Sequence, residues 1–223
     1  ENNIKKIIFH FYDYPKWLSK IVRIGGNEYS YLYFYTWQIG AYFFIKKIIK
    51  NFKFDFVHHV TFVSLRYPSF LPLLNIPFIL GPVSGGDVIP HQLKNNLSIF
   101  QKTKETIRDL NNKFIKYGPF INMNFKKASK IFVNSKATKE ILPKKIHNKT
   151  EILLAVGISE TKLINNNYSK KKGKINLCFA GNLNYLKGLD FIIEVLNKIK
   201  HNVDFEFNIA GEGPEKNKLL KKI

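Results

Sequence analysis

The chain contains one cysteine, Cys178, so no disulfide can form within it and a reducing compartment is expected. That cysteine sits in an apolar run and reads as a small buried hydrophobe rather than a nucleophile. No His/Cys cluster has metal-ligand spacing and no Asp-x-Asp pair occurs, so nothing points to a bound metal. A Gly-x-Ser-x-Gly elbow, a Walker loop and a dinucleotide fingerprint are all missing. The longest uncharged aromatic run, residues 31–45, is too short for a spanning helix and contains Gln38, so no transmembrane segment is expected. Acidic residues are also scarce: 36 Lys plus Arg against 16 Asp plus Glu leave a formal charge of +20.

Such a charge attracts nucleic acid, acidic lipid headgroups or phosphorylated substrates. It is equally compatible with AT-rich codon usage, since Lys, Asn, Ile, Phe and Tyr are all abundant. The lysines are scattered and no usual nucleic-acid recognition motif is visible. Hydrophobic and aromatic contents of 45% and 15% exclude a disordered chain.

Short apolar runs alternate with helical patterns. Strands are expected at residues 5–12, 54–62, 76–83, 130–135 and 150–156. Helices are expected at 31–52, across much of 98–127, and in "KATKEIL". Strands separated by helices imply an α/β fold with parallel sheets. "NNNYSKKKGK", residues 165–174, has no apolar period and reads as a linker. The alternation then restarts with a strand at 175–180, a helix at 187–199, a strand at 205–210 and a helix from Pro214. Two strands do not complete a doubly wound domain, and the chain opens on Glu1, so it reads as cut short at both ends.

Ligands of open parallel sheets bind beyond the carboxyl ends of the strands. "AGNLNYLKG" lies at one such end. Gly181 permits close approach to backbone, the helix after Gly188 offers free amides, and Lys187 adds a full charge to an anion site. The alternative is a solvated lysine beside a structural turn. "GPVSGGDVIPH" follows the strand at 76–83. Its Ser84, Gly85 and Gly86 shape a loop suited to a polar ligand, and Asp87 can accept from sugar hydroxyls, act as a base, or merely cap a helix. In "HHVT", side-chain alternation sends His58 and His59 to opposite faces, one packed and one toward the strand-end crevice. Asp87 and His59 are the candidate catalytic pair. "GEGP" supplies a further strand-end turn with Gly211 and Gly213.

In this order the motifs resemble the family 4 glycosyltransferases of the GT-B architecture. "NLCFAGNLNYLKGLDFIIEVL" is similar to that family's strand, Gly-Arg loop and Lys-Gly helix start, and "FNIAGEGPEKNKL" to its Gly-x-Gly-Pro turn. "FDFVHHVTFVSLRYPSFLPLLNIPFILGPVSGGD" resembles a bacterial branch with His-His-Val-Thr and Gly-Pro-Val-Gly-Gly-Gly-Glu. The resemblance implies two Rossmann-like domains: residues 1–160 acceptor-side, 161–173 linker, and 174–223 the incomplete donor side. It implies a retaining, metal-independent enzyme moving a sugar from a nucleoside diphosphate sugar, its co-substrate, to an envelope glycan or lipid-linked acceptor. No other cofactor is implied. Lys187 would contact the donor diphosphate with Asn182, Gly181 and Gly188. Asn182 replaces the family's arginine, Asp87 its glutamate and Ser84 a glycine.

The implied location is cytoplasmic, with contact to the inner face of the membrane as a further possibility. The aromatics of residues 31–52, with Lys46, Lys47 and Lys50, either pack beneath the first sheet or face anionic lipid. The competing reading is a non-catalytic basic fragment that binds a membrane surface or nucleic acid.

Overall fold

A computed structural model describes residues 7–15, 18, 31–60, 64–95, 97–114, 117–157 and 173–222. Two compact units emerge. The first comprises Glu1–Val88 and Thr103–Gly157, the second Ile89–Lys102 and Ile158–Ile223. The chain thus lends fourteen intervening positions, 89–102, to the second unit, although their pattern carries no signal of it. Most of the expected linker lies outside the described residues.

The first unit is built on a four-stranded, all-parallel sheet in the order β1-β2-β3-β4. Its strands are β1 (Val57–His59), β2 (Phe78–Val83), β3 (Ala128–Val133) and β4 (Thr150–Ile152). Parallel neighbours need crossovers. Helix α1 (Tyr31–Ile48) precedes β1, and a 3-10 turn (Leu71–Leu74) joins β1 to β2. Helices α2 (His91–Lys94), α3 (Ile99–Phe114) and α4 (Pro119–Lys127) separate β2 from β3, and α5 (Lys136–Glu140) with a 3-10 turn separates β3 from β4.

Phe78, Leu80, Val83, Phe125, Ile131, Val133 and Leu142 form one core cluster. Burying each such side chain contributes about 1.5–3 kcal/mol. Asn124, buried in α4, satisfies its amide completely enough to pin a loop: Nδ2 donates to the Ser69 carbonyl at 2.9 Å, and Oδ1 accepts from the Ser69 amide at 2.9 Å. In α1, Phe34, Gln38 and Ala41 are buried at helical spacing. Phe34 packs at a tilt against Tyr67, 4.6 Å between centroids, and Trp37 against Tyr12 at 5.8 Å, while Lys46, Lys47 and Lys50 are exposed. The aromatics of this helix therefore largely pack, and its lysines solvate.

The second unit contains β5 (Ile175–Ala180) and β6 (Phe205–Ala210), paired in parallel, with α6 (Leu189–Ile199) and α7 (Lys216–Leu220). Leu183, Leu189, Ile193 and Leu219 form its core, with Phe179, Phe207 and Ile209 packed on it. Gln101 Nε2 donates to Glu215 Oε1 at 3.2 Å and so ties the inserted segment to α7.

Two expectations need correction. Residues 7–12 form no strand: Ile7, Phe9 and Phe11 are all exposed, Phe11 by 86%, and no described strand pairs with them. A short apolar run is not sufficient for a strand without a partner edge. Cys178 is exposed rather than buried. Alternation along β5 turns Leu177 and Phe179 to the core and leaves Asn176, Cys178 and Ala180 on the uncovered face. No described helix is long and apolar enough to cross a membrane.

Candidate functional site

At the carboxyl end of the first sheet, β1, β2 and β3 deliver their loops together. Leu65 donates its amide to the Ser84 carbonyl at 2.9 Å, bringing the chain after β1 beside the chain after β2. The backbone of β2 passes so near β3 that a methyl on Gly81 would lie 2.1 Å from the Phe132 carbonyl oxygen. The turn continues through Gly85, whose φ of 131° favours glycine. Gly86 presses on the start of α5: a methyl there would meet Thr138 Cα at 2.4 Å. Its amide donates to Thr138 Oγ1 at 3.3 Å.

Asp87 follows, exposed, with its carboxylate held. Ser135 Oγ donates to Asp87 Oδ1 at 3.0 Å, and Arg108 Nη2 donates to the Asp87 carbonyl at 3.3 Å. The helix cap here is Ser135, whose Oγ accepts from the Thr138 amide at 3.1 Å. Asp87 is therefore tethered to a cap residue instead of capping a helix itself.

The two histidines part as alternation requires. His59 is 6% exposed, within the packed side of the sheet. His58 is exposed, and its Nε2 lies 2.7 Å from the Gly81 carbonyl. A carbonyl only accepts, so Nε2 carries the proton. The neighbour of the Ser84–Asp87 loop is thus His58, bonded to the strand that feeds it.

Behind the loop, Arg66 Nη2 donates to Asn112 Oδ1 at 2.9 Å, and Arg108 pairs with Glu105 at 2.5 Å. Sequence reasoning passed over Arg66, Arg108 and Ser135. One signal was available: Arg23, Arg66 and Arg108 are the only arginines in a lysine-rich chain. An arginine among lysines stands out as a different kind of donor, planar and always charged.

In the second unit the two strand-end turns interlock. The Gly181 amide donates to the Ala210 carbonyl at 3.0 Å, the Leu183 amide to the Glu212 carbonyl at 2.8 Å, and the Glu215 amide to the Leu183 carbonyl at 3.0 Å. Gly211 and Gly213 fit against this ladder only because they lack a side chain. Asn184 then caps a 3-10 turn, Tyr185–Lys187, accepting from the Leu186 amide at 3.0 Å. Gly188, at φ 66°, ends that turn and begins α6.

Lys187 is exposed one residue before the α6 amino end, and Asn182 is exposed nearby with its Oδ1 3.4 Å from Asn184 Nδ2. The Gly181 and Gly188 amides are already engaged, the latter with the Tyr185 carbonyl at 3.3 Å. An anion here would meet the Lys187 ammonium and the first amides of α6. A cavity of about 120 Å3 opens beside this turn, lined by Leu93, Leu97, Leu186 and Phe191 with Asp190 and Glu194; Lys187 is not in its lining. Glu194 Oε1 accepts from Lys222 Nζ at 2.6 Å, which holds the carboxyl below its ordinary range.

No cluster of three metal-ligating side chains occurs among the described residues. Comparison with models of known protein families and with curated proteins finds no match for this chain.

Proposed function

We propose that the chain is a glycosyltransferase of the GT-B kind, taking sugar from a nucleoside diphosphate donor to a glycan or lipid-linked acceptor. The first unit is on the acceptor side and the second on the donor side. The observation that carries the reading is the Lys187–Gly188 junction: an exposed cation set on a capped turn at the amino end of α6, beyond a parallel strand. Lys187 is the donor-diphosphate residue. It steadies the negative charge that grows on the leaving diphosphate, a preorganised electrostatic contribution.

Asp87, fixed by Ser135, is the polar group available to acceptor hydroxyls, with Ser84, Gly85 and Gly86 shaping the loop around it. His59 is buried, opposite Leu80 of β2; His58 positions the loop through Gly81. Transfer is retaining and independent of metal in this reading. The enzyme works at the cytoplasmic face of a membrane, where the +20 charge favours anionic headgroups.

Calorimetric titration with UDP-, GDP- and dTDP-sugars tests the proposal. Saturable binding of one donor that Lys187→Ala weakens is expected. Binding of none, by a folded chain, refutes it. Salt-sensitive capture of DNA or RNA without donor binding would favour the basic-fragment alternative.

A further inference from the structure

Helix α3 turns Glu105, Arg108, Asp109 and Asn112 inward and an apolar stripe outward. Glu105 and Asn112 are buried and Arg108 and Asp109 partly covered. Their spacing of i, i+3, i+4 and i+7 places all four on one face. The opposite face carries Ile107, Leu110 and Phe114, which are 54%, 47% and 63% exposed. These recur at i, i+3 and i+7, a continuous stripe.

The orientation is held by the buried polar groups. Asn112 accepts from Arg66, Glu105 pairs with Arg108, and Arg108 reaches the Asp87 carbonyl. Rolling the helix to hide its stripe would separate Asn112 from Arg66 and Arg108 from the Asp87 carbonyl. Turning the acids inward also leaves the outer face purely basic. Lys104 and Lys113, both exposed, flank the stripe on either side at 100° per residue.

We infer that this outer face of α3 docks on an anionic lipid surface. An apolar stripe rimmed by lysines, with the acidic residues facing away, has the profile of a helix lying in a membrane interface. A second copy of the chain is the competing occupant. Two chains of +20 each, meeting through lysine-rimmed faces, repel one another. The same lysines attract anionic headgroups, each adding about fivefold in partitioning at low salt. The inference deepens the peripheral location proposed above by naming its surface, and it is independent of sugar transfer.

Sedimentation of the chain with phosphatidylcholine vesicles, with and without phosphatidylglycerol, tests it. Salt-sensitive binding to the anionic vesicles alone is expected. The pair Leu110→Ser with Phe114→Ser should lower that binding by about tenfold, and Lys104→Gln with Lys113→Gln by about 25-fold at low salt. Circular dichroism and melting check that both pairs fold; the lysine pair alters no packed atom and keeps the test decisive. Lys46→Gln and Lys47→Gln on α1, with Lys50→Gln just beyond it, serve as comparator and should lower binding less. If wild-type binding survives both α3 pairs, the α3 assignment is overturned and peripheral binding through another surface stands. If the wild type ignores anionic vesicles, both are overturned. A dimer that the serine pair dissociates makes the face a self-association surface and overturns lipid docking.

Discussion

Gly211 lies so close to Gly181 that a methyl on its Cα would stand 1.9 Å from the Gly181 carbonyl oxygen. Gly213 bears the same relation to Leu183, at 2.4 Å from its carbonyl. Both obstructions are backbone, which cannot rotate aside. Gly211→Ala must spread the two turns that join β5 and β6 to their helices, and a cost of about 1–3 kcal/mol is expected. Gly188→Ala meets open space and carries only the left-handed backbone penalty, about 1–2 kcal/mol. Urea unfolding of the second unit distinguishes them; equal, negligible effects would show that the turns are not interlocked.

This interlock also shows where local pattern ends. Strand β6 matches its expected bounds, 205–210, because alternation runs cleanly into glycine. The start of α6 was legible for a similar reason, a polar loop and Lys-Gly before an amphipathic run. The contact of Gly211 with Gly181 spans α6 and β6, and no local period encodes it. Ser135 donating to Asp87 crosses 48 positions, so Asp87 was visible while its anchor was not. Residues 7–12 fail in the opposite sense: their apolar run is strand-like, yet pairing requires a neighbouring edge that local pattern does not supply.

Ser135→Ala removes three hydrogen bonds at once, the cap on the Thr138 amide, the contact with Thr138 Oγ1 and the donor to Asp87. Loss of a cap costs about 1 kcal/mol. Ser135→Thr keeps the hydroxyl and should restore most of the stability. If Asp87 meets the acceptor, Ser135→Ala should also raise the acceptor KM while leaving donor binding unchanged. A variant as stable as the parent would mean that Ser135 does not hold this loop.

For the donor side, Lys187→Ala should lower kcat/KM by about 2–4 kcal/mol of transition-state stabilisation, by analogy with removal of one preorganised donor. The side chain is exposed and joins no described hydrogen bond, so melting should not shift. Asn182→Arg adds a second cation to the same exposed turn and should hold or tighten nucleotide-sugar binding. Full activity in Lys187→Ala, measured by donor turnover, contradicts the assignment.

The pH dependence of the second unit follows from its ion pairs. Lys222 holds the Glu194 carboxyl below its ordinary value of 4.5 through a 2.6 Å hydrogen bond, and Lys174 does the same to Glu206 at 3.0 Å. A carboxyl depressed in the folded state contributes stability that is present above about 4.5 and is lost as pH falls through its folded value. The partner lysines are raised, first by the same hydrogen bonds, so their contribution is present below 10.5 and is lost as pH rises through the folded value. Both pairs therefore act between those limits, and both are exposed enough for salt to screen them. Glu194→Gln should leave melting almost unchanged at pH 3 and lower it slightly at pH 7 in low salt. Glu206→Gln should behave alike and additively, since the two pairs share no residue. A Glu194→Gln variant that loses as much stability at pH 3 as at pH 7 would assign the effect to packing on α6 and exclude the charge.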